Sequence, residues 1–145
     1  MQMIPKDPEF DARVRQSFGN QSMMETLGAR IQIVQPGMVE IHTEVWEGVL
    51  QQQGFAHGGL AFSIGDSAAG YSALSLQRAD REVLTVEMKI NYLSPGAGSL
   101  MIAKGRVIRA GRNIIAVAAD VFTQEKGHDP VQIAALQGTI MSVNH

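Results

Sequence analysis

The residues best equipped for chemistry in this sequence are His57-Gly58-Gly59 and, a little further on, Asp66. Two consecutive glycines let a ligand come close to the backbone. The first turn of a helix also leaves N–H groups without intrahelical partners. With the helix dipole behind them, such donors suit an oxyanion or a polarised carbonyl. Asp66 lies inside the run Gly54 to Leu76, GFAHGGLAFSIGDSAAGYSALSL, which is apolar or small at almost every position. An ionised carboxylate in such a run must be paired, raised in pKa, or set beside a solvated cleft. Bonding to Ser63, three residues earlier, or to a partner chain would satisfy Asp66 without any chemistry. Spacing separates the two features. Asp66 follows Gly58 by eight positions, roughly 12 Å along a helix axis at ~1.5 Å per residue. General-base chemistry needs hydrogen-bond reach. If both features serve one reaction, two chains must pair so that one helix start faces the other chain's Asp66, as in a two-fold dimer.

The elements that must carry these residues follow from periodicity. The run from Gly54 to Leu76 leaves no continuous polar face, so it predicts an enclosed helix of about 17–19 residues. Asp66 within it argues against a membrane span. Before it, Asp7-Pro8 predicts a helix start, and Phe10, Val14 and Phe18 recur at helical spacing up to Gly19-Asn20. From Leu27 the period changes to two. Ala29, Ile31 and Ile33 alternate with Arg30 and Gln32, Pro36-Gly37 turns the chain, and Val39, Ile41, Thr43 and Val45 return. His42 then falls on the solvent side, and Glu47 to Gly54 is loop. After the long helix, Val83 to Leu93 predicts a strand with Leu84, Val86, Met88, Ile90 and Tyr92 on one side and Thr85, Glu87, Lys89 and Asn91 on the other. Leu100–Arg109, Ile114–Thr123 and Val131–Val143 predict three more. One buried helix among about six antiparallel strands implies an α+β domain with a curved sheet wrapped around it.

The totals fit one such domain over residues 1–145, with an N-terminal helix at about 7–19 and a core at about 27–143. Of the 145 residues 45% are apolar and 18% charged, and the net charge is −2, so no basic excess points to nucleic acid. The absence of cysteine removes disulfides, thiolate metal sites and a cysteine nucleophile. The opening MQMIPKDPEF has no apolar core of signal-peptide length, so a cytoplasmic protein without export signal or membrane contact is expected.

The order of elements and the stretch HGGLAFSIGDSAAGYSA resemble the hotdog-fold thioesterases of the phenylacetate-degradation (PaaI-like) type. The resemblance continues through Asn91–Gly96 and Gly105–Val117 and covers about Leu27 to Met141. It implies an acyl-CoA thioesterase in which the Gly58 N–H polarises the thioester carbonyl and His57 fixes its loop. Asp66 of the partner chain would act as general base or as nucleophile. Gln51 stands where family members often carry asparagine, and Thr85 where a serine or threonine positions the water or the acid.

For coenzyme A the resemblance implies the strand end marked by Tyr92, Ser94, Pro95 and Gly96 and the turn marked by Arg109, Gly111, Arg112 and Asn113. Arg106, Arg109 and Arg112 also gather charge around one glycine turn, which suits phosphate. No metal and no cofactor is implied, coenzyme A being part of the substrate. A homodimer with shared sites, assembling into a homotetramer, completes the expectation. Two other readings share the fold: a binder of acyl-CoA without turnover, and a hotdog hydratase using a histidine–acid pair. Phe62, Tyr71, Met88 and the methionine content point to an apolar, adaptable acyl pocket.

Overall fold

The computed structural model describes residues 2–145. In chain order it holds α1 (Phe10–Gly19), α2 (Ser22–Leu27), β1 (Ala29–Gln35), β2 (Met38–Glu44), α3 (Gly58–Leu74), β3 (Arg81–Tyr92), β4 (Leu100–Ala110), β5 (Ile114–Gln124) and β6 (Val131–Asn144). The strands form one six-stranded sheet in the order β1-β2-β4-β5-β6-β3, every pair antiparallel. Because α3 intervenes, β3 joins the far edge beside β6, and its other side is unpaired within the chain. This is the wrapped-helix α+β architecture that the sequence implies.

The small residues of α3 explain how closely it sits on the sheet. Leu60, Ala61, Ile64, Ala68 and Ala69 are buried in one core with Ile41, Met101, Val117, Val121 and Ile140. At Gly105 of β4 a Cβ would lie 2.1 Å from the carbonyl carbon of Ala68. Helix and strand therefore meet backbone to backbone there, which only glycine permits.

Several local expectations are corrected. α1 begins at Phe10 rather than at Pro8. The Asp7 carboxylate accepts from the Glu9 N–H at 2.9 Å and its carbonyl from Phe10, closing a turn ahead of the helix. Arg13 of α1 donates to the carbonyls of Arg78 and Arg81, fastening the helix to the α3–β3 connection. A second helix, α2, occupies residues where the periodicity shows none, and Gly28 ends it at φ 75°. The β1 ladder slips between Ile31 and Ile33, which buries Val34 in place of Ile33. In β3 the ladder slips between Thr85 and Glu87, leaving Val86 out of register. Such a bulge reverses the alternation. Leu84 and Val86 are exposed, while Val83, Met88 and Ile90 pack against the core. Thr85 and Tyr92, expected on opposite sides, both turn toward α3.

α3 is also less enclosed than its composition suggests. Gly59, Phe62, Ser63, Asp66, Ser67 and Gly70 make a stripe that its own chain leaves exposed or half-buried. The polar residues of the helix concentrate on that stripe.

Candidate active site

The start of α3 is built by its own cap. His57 is the N-cap residue, and its Nδ1 accepts from the Gly59 N–H at 2.7 Å. A neutral His57 ring then carries its proton on Nε2. The Gly58 N–H finds no acceptor among the described residues. Tyr92 donates its hydroxyl to the Gly58 carbonyl at 2.9 Å. A Cβ on Gly58 would meet the Tyr92 ring at 2.9 Å, so the glycine lets strand end and helix start close together. Gln51, His57, Gly58, Tyr92, Ser94, Pro95 and Gly96 all line one cavity of about 650 Å³. Gln51 keeps its amide within the loop, bonded to the Gln53 N–H and side chain. No carboxylate lines this cavity.

Asp66 lies elsewhere. Its Oδ1 accepts from the Thr85 hydroxyl at 2.8 Å. Ser63, the alternative partner, instead donates to the Gly59 carbonyl at 2.8 Å. Burial pushes the Asp66 carboxyl above its ordinary 3.8, and the Thr85 hydrogen bond opposes that rise. The acid borders two cavities, of about 310 and 500 Å³, and neither contains Gly58 or His57. The structure thus brings Asp66 to Thr85, and Gly58 to His57, Gln51 and Tyr92, but keeps the two groups apart within one chain.

The residues expected at coenzyme A divide in the same way. Tyr92, Ser94, Pro95 and Gly96 border the Gly58 cavity. Arg109, Gly111, Arg112 and Asn113 form the exposed β4–β5 hairpin, closed by Gly111 N–H to the Ile114 carbonyl at 2.9 Å. This hairpin lies at the far end of β4, whose 11 residues at ~3.3 Å each span roughly 35 Å from the loop that follows Gly96. Arg106 is held by Asp120 at 2.6 Å, which leaves Arg109 and Arg112 as the hairpin's cations outside any salt bridge among the described residues.

Sequence reasoning missed Asn20 and Gln21, and it named Tyr92 and Tyr71 without the contacts they make. Tyr92 lies on the same side of β3 as Met88 and Ile90, and its hydroxyl reaches the Gly58 carbonyl. Tyr71 places its hydroxyl 3.2 Å from Ser17 of α1, and burial raises its pKa. Asn20 and Gln21, in the link to α2, border both Asp66 cavities. A polar pair after a helix end carries no periodic signal.

The sequence pattern of the family described as "Thioesterase superfamily" matches residues 53–128, more than half of the chain and the stretch holding His57, Gly58, Asp66 and Thr85. This chain belongs to that superfamily. A thioesterase family protein from Silicibacter pomeroyi shares 36% identity and superposes with a TM-score of 0.91 over 94% of this chain and 99% of its own. The 1,4-dihydroxy-2-naphthoyl-CoA hydrolase of Listeria monocytogenes is 30% identical over 91 residues, 63% of this thioesterase and 74% of the relative. The PaaI protein of the Escherichia coli phenylacetic acid degradation operon shares the fold, with a TM-score of 0.84 over 96% of both chains at 18% identity.

Proposed function

We propose that this thioesterase hydrolyses an aryl- or medium-chain acyl-CoA at sites shared by two chains. The observation carrying the proposal is that an unpartnered Gly58 N–H and a half-buried Asp66 occupy separate cavities of one chain. In the shared site the Gly58 N–H of one chain donates to the thioester carbonyl oxygen and stabilises the negative charge that develops on it. Asp66 of the other takes the proton of an attacking water, or itself attacks the carbonyl carbon. When water attacks, the C–S bond breaks, the free acid forms, and the proton that Asp66 took goes to the departing coenzyme A thiolate. When Asp66 attacks, the same C–S bond breaks to leave a mixed anhydride. Water then cleaves it to the free acid, restoring the carboxylate and giving its proton to the thiolate. Burial favours this role by making Asp66 a stronger base than a solvated carboxylate. Thr85 orients it. No metal or cofactor enters these steps. The unpaired edge of β3 supports the pairing of two copies, since an open edge is a template for a further strand. The hairpin cations Arg109 and Arg112 would meet the phosphates of coenzyme A from the partner chain, whose hairpin is free of the distance found within one chain. His57 does not favour the hydratase reading, because its Nδ1 is taken by the Gly59 N–H and it forms no ion pair among the described residues.

The test is a panel of aliphatic and aromatic acyl-CoAs offered to the purified protein without added metal or nucleotide. Free thiol should be released from at least one. Tight binding of acyl-CoA with no release above background would make the protein a binder instead.

A further inference from the structure

Asp66 borders two cavities that share Asn20, Gln21 and Ser67 and differ in the rest of their lining, and this difference carries an inference that rests on the hydrolytic reading above. The smaller, about 310 Å³, is lined by hydrogen-bonding groups, among them Ser17, Gln21, Tyr71, Glu82 and Thr85. The larger, about 500 Å³, is formed where Met23 and Met24 of α2 face Phe62 and Ser63 of α3. An apolar acyl group entering the smaller cavity would strip water from the Glu82 carboxylate, a second acid that the larger cavity lacks. In the larger one it meets, beside uncharged Asn20, Gln21 and three serines, two thioethers and a ring, the methionines being flexible enough to fit varied shapes. Roughly 150 Å³ already accepts a benzene ring.

α1 and the link that leads into α2 are fixed to α3, which sets where α2 begins. Phe18 meets the Tyr71 ring edge-on at 6.0 Å between centroids. Ser17 lies against the Tyr71 hydroxyl, and the Ser67 hydroxyl points at Gln21 Oε1 at 3.5 Å. Met24 is buried at 3% exposure, whereas Met23 is 55% exposed and so has side-chain surface left to cover a ligand. The segment also lies outside residues 53–128, the stretch matched by the family pattern. We infer that α2 is the acyl-selecting wall of this enzyme: Met23 and Phe62 hold an apolar acyl group on one side of Asp66, while Thr85 and the polar cavity hold the attacking water on the other.

Met23→Trp and Met23→Ala test this in the full chain, since an exposed position tolerates both. For each protein, kcat/KM is measured for acetyl-, hexanoyl-, decanoyl- and phenylacetyl-CoA, and Kd by calorimetry for the matching non-hydrolysable thioethers. Met23→Trp should lower the preference for the larger acyl groups over acetyl by about 10-fold or more, in both quantities. Met23→Ala should move the preference toward decanoyl. Ratios that stay within about twofold of the unmodified protein in both variants overturn the wall. If thioether affinities shift as stated while no thioester is hydrolysed, the wall stands and the hydrolytic reading fails. If no thioether binds and no thioester is hydrolysed, both fail.

Discussion

At the scale of single residues, Asp66 carries the account, and its protonation has a sign that can be checked. Burial holds its carboxyl above 3.8, so the folded protein binds this proton more tightly than the unfolded chain does. Ionised Asp66 therefore costs stability. The cost is absent below 3.8, accrues as pH rises through the raised value, and is complete above it. Asp66→Asn should lose hydrolysis by ~10²-fold or more, the usual scale of a positioned acid–base group. The same variant should unfold at higher urea than the parent at neutral pH, with a gain that shrinks as pH falls toward 3.8. In the parent, kcat/KM should fall on the acid side with a midpoint above 3.8. A midpoint at or below that value would mean that Asp66 does not limit the reaction in its ionised form. Asp66 stood out in the sequence because an acid inside an apolar run needs a partner or a solvated cleft. Its partner was not: Ser63 sits at a suitable helical spacing, yet its hydroxyl goes to the Gly59 carbonyl.

At the scale of elements, what matters is how firmly α3 is seated, because the proposed reaction takes one group from its start and one from its middle. The contact at Gly105 sets that seat, with the Ala68 and Ala69 backbone within 2.4 Å of where a Cβ would stand. Gly105→Ala should destabilise by about 1–3 kcal/mol or more through forced backbone movement. It should also lower kcat, although it touches no substrate; urea denaturation and steady-state rates measure both. An unchanged midpoint would mean that the helix rides more loosely than this packing implies. The long helix and the outlines of β2, β4, β5 and β6 could be read from apolar patterning, which extends over many residues in each. α2 could not, since the six residues of SMMETL complete too few turns to show a period. Nor could the bulge at Val86, because Leu84 and Val86 continue the apolar alternation of Met88 and Ile90, and only pairing with β6 reveals the slip. That slip puts Thr85, which bonds Asp66, on the same side of β3 as Tyr92, which bonds Gly58.

At the scale of the molecule, one chain holds two half-sites and an open sheet edge. The stripe of α3 that carries Asp66 remains uncovered, and the Gly58 cavity contains no acid. A two-fold pairing that sets one chain's helix start against the other's Asp66 completes both sites at once. The most direct test is subunit complementation between Asp66→Asn and Gly58→Val. The first removes the acid; the second places a branched side chain where even a Cβ lies 2.9 Å from the Tyr92 ring, closing the approach to the N–H. Each variant alone should be inactive while remaining folded. A mixed dimer keeps one site with both groups intact and one with both damaged, so co-refolded protein should regain up to about half of the parental activity per mixed dimer. Verified mixed dimers that stay inactive, while each parent variant still binds an acyl-CoA thioether, would contradict the shared site.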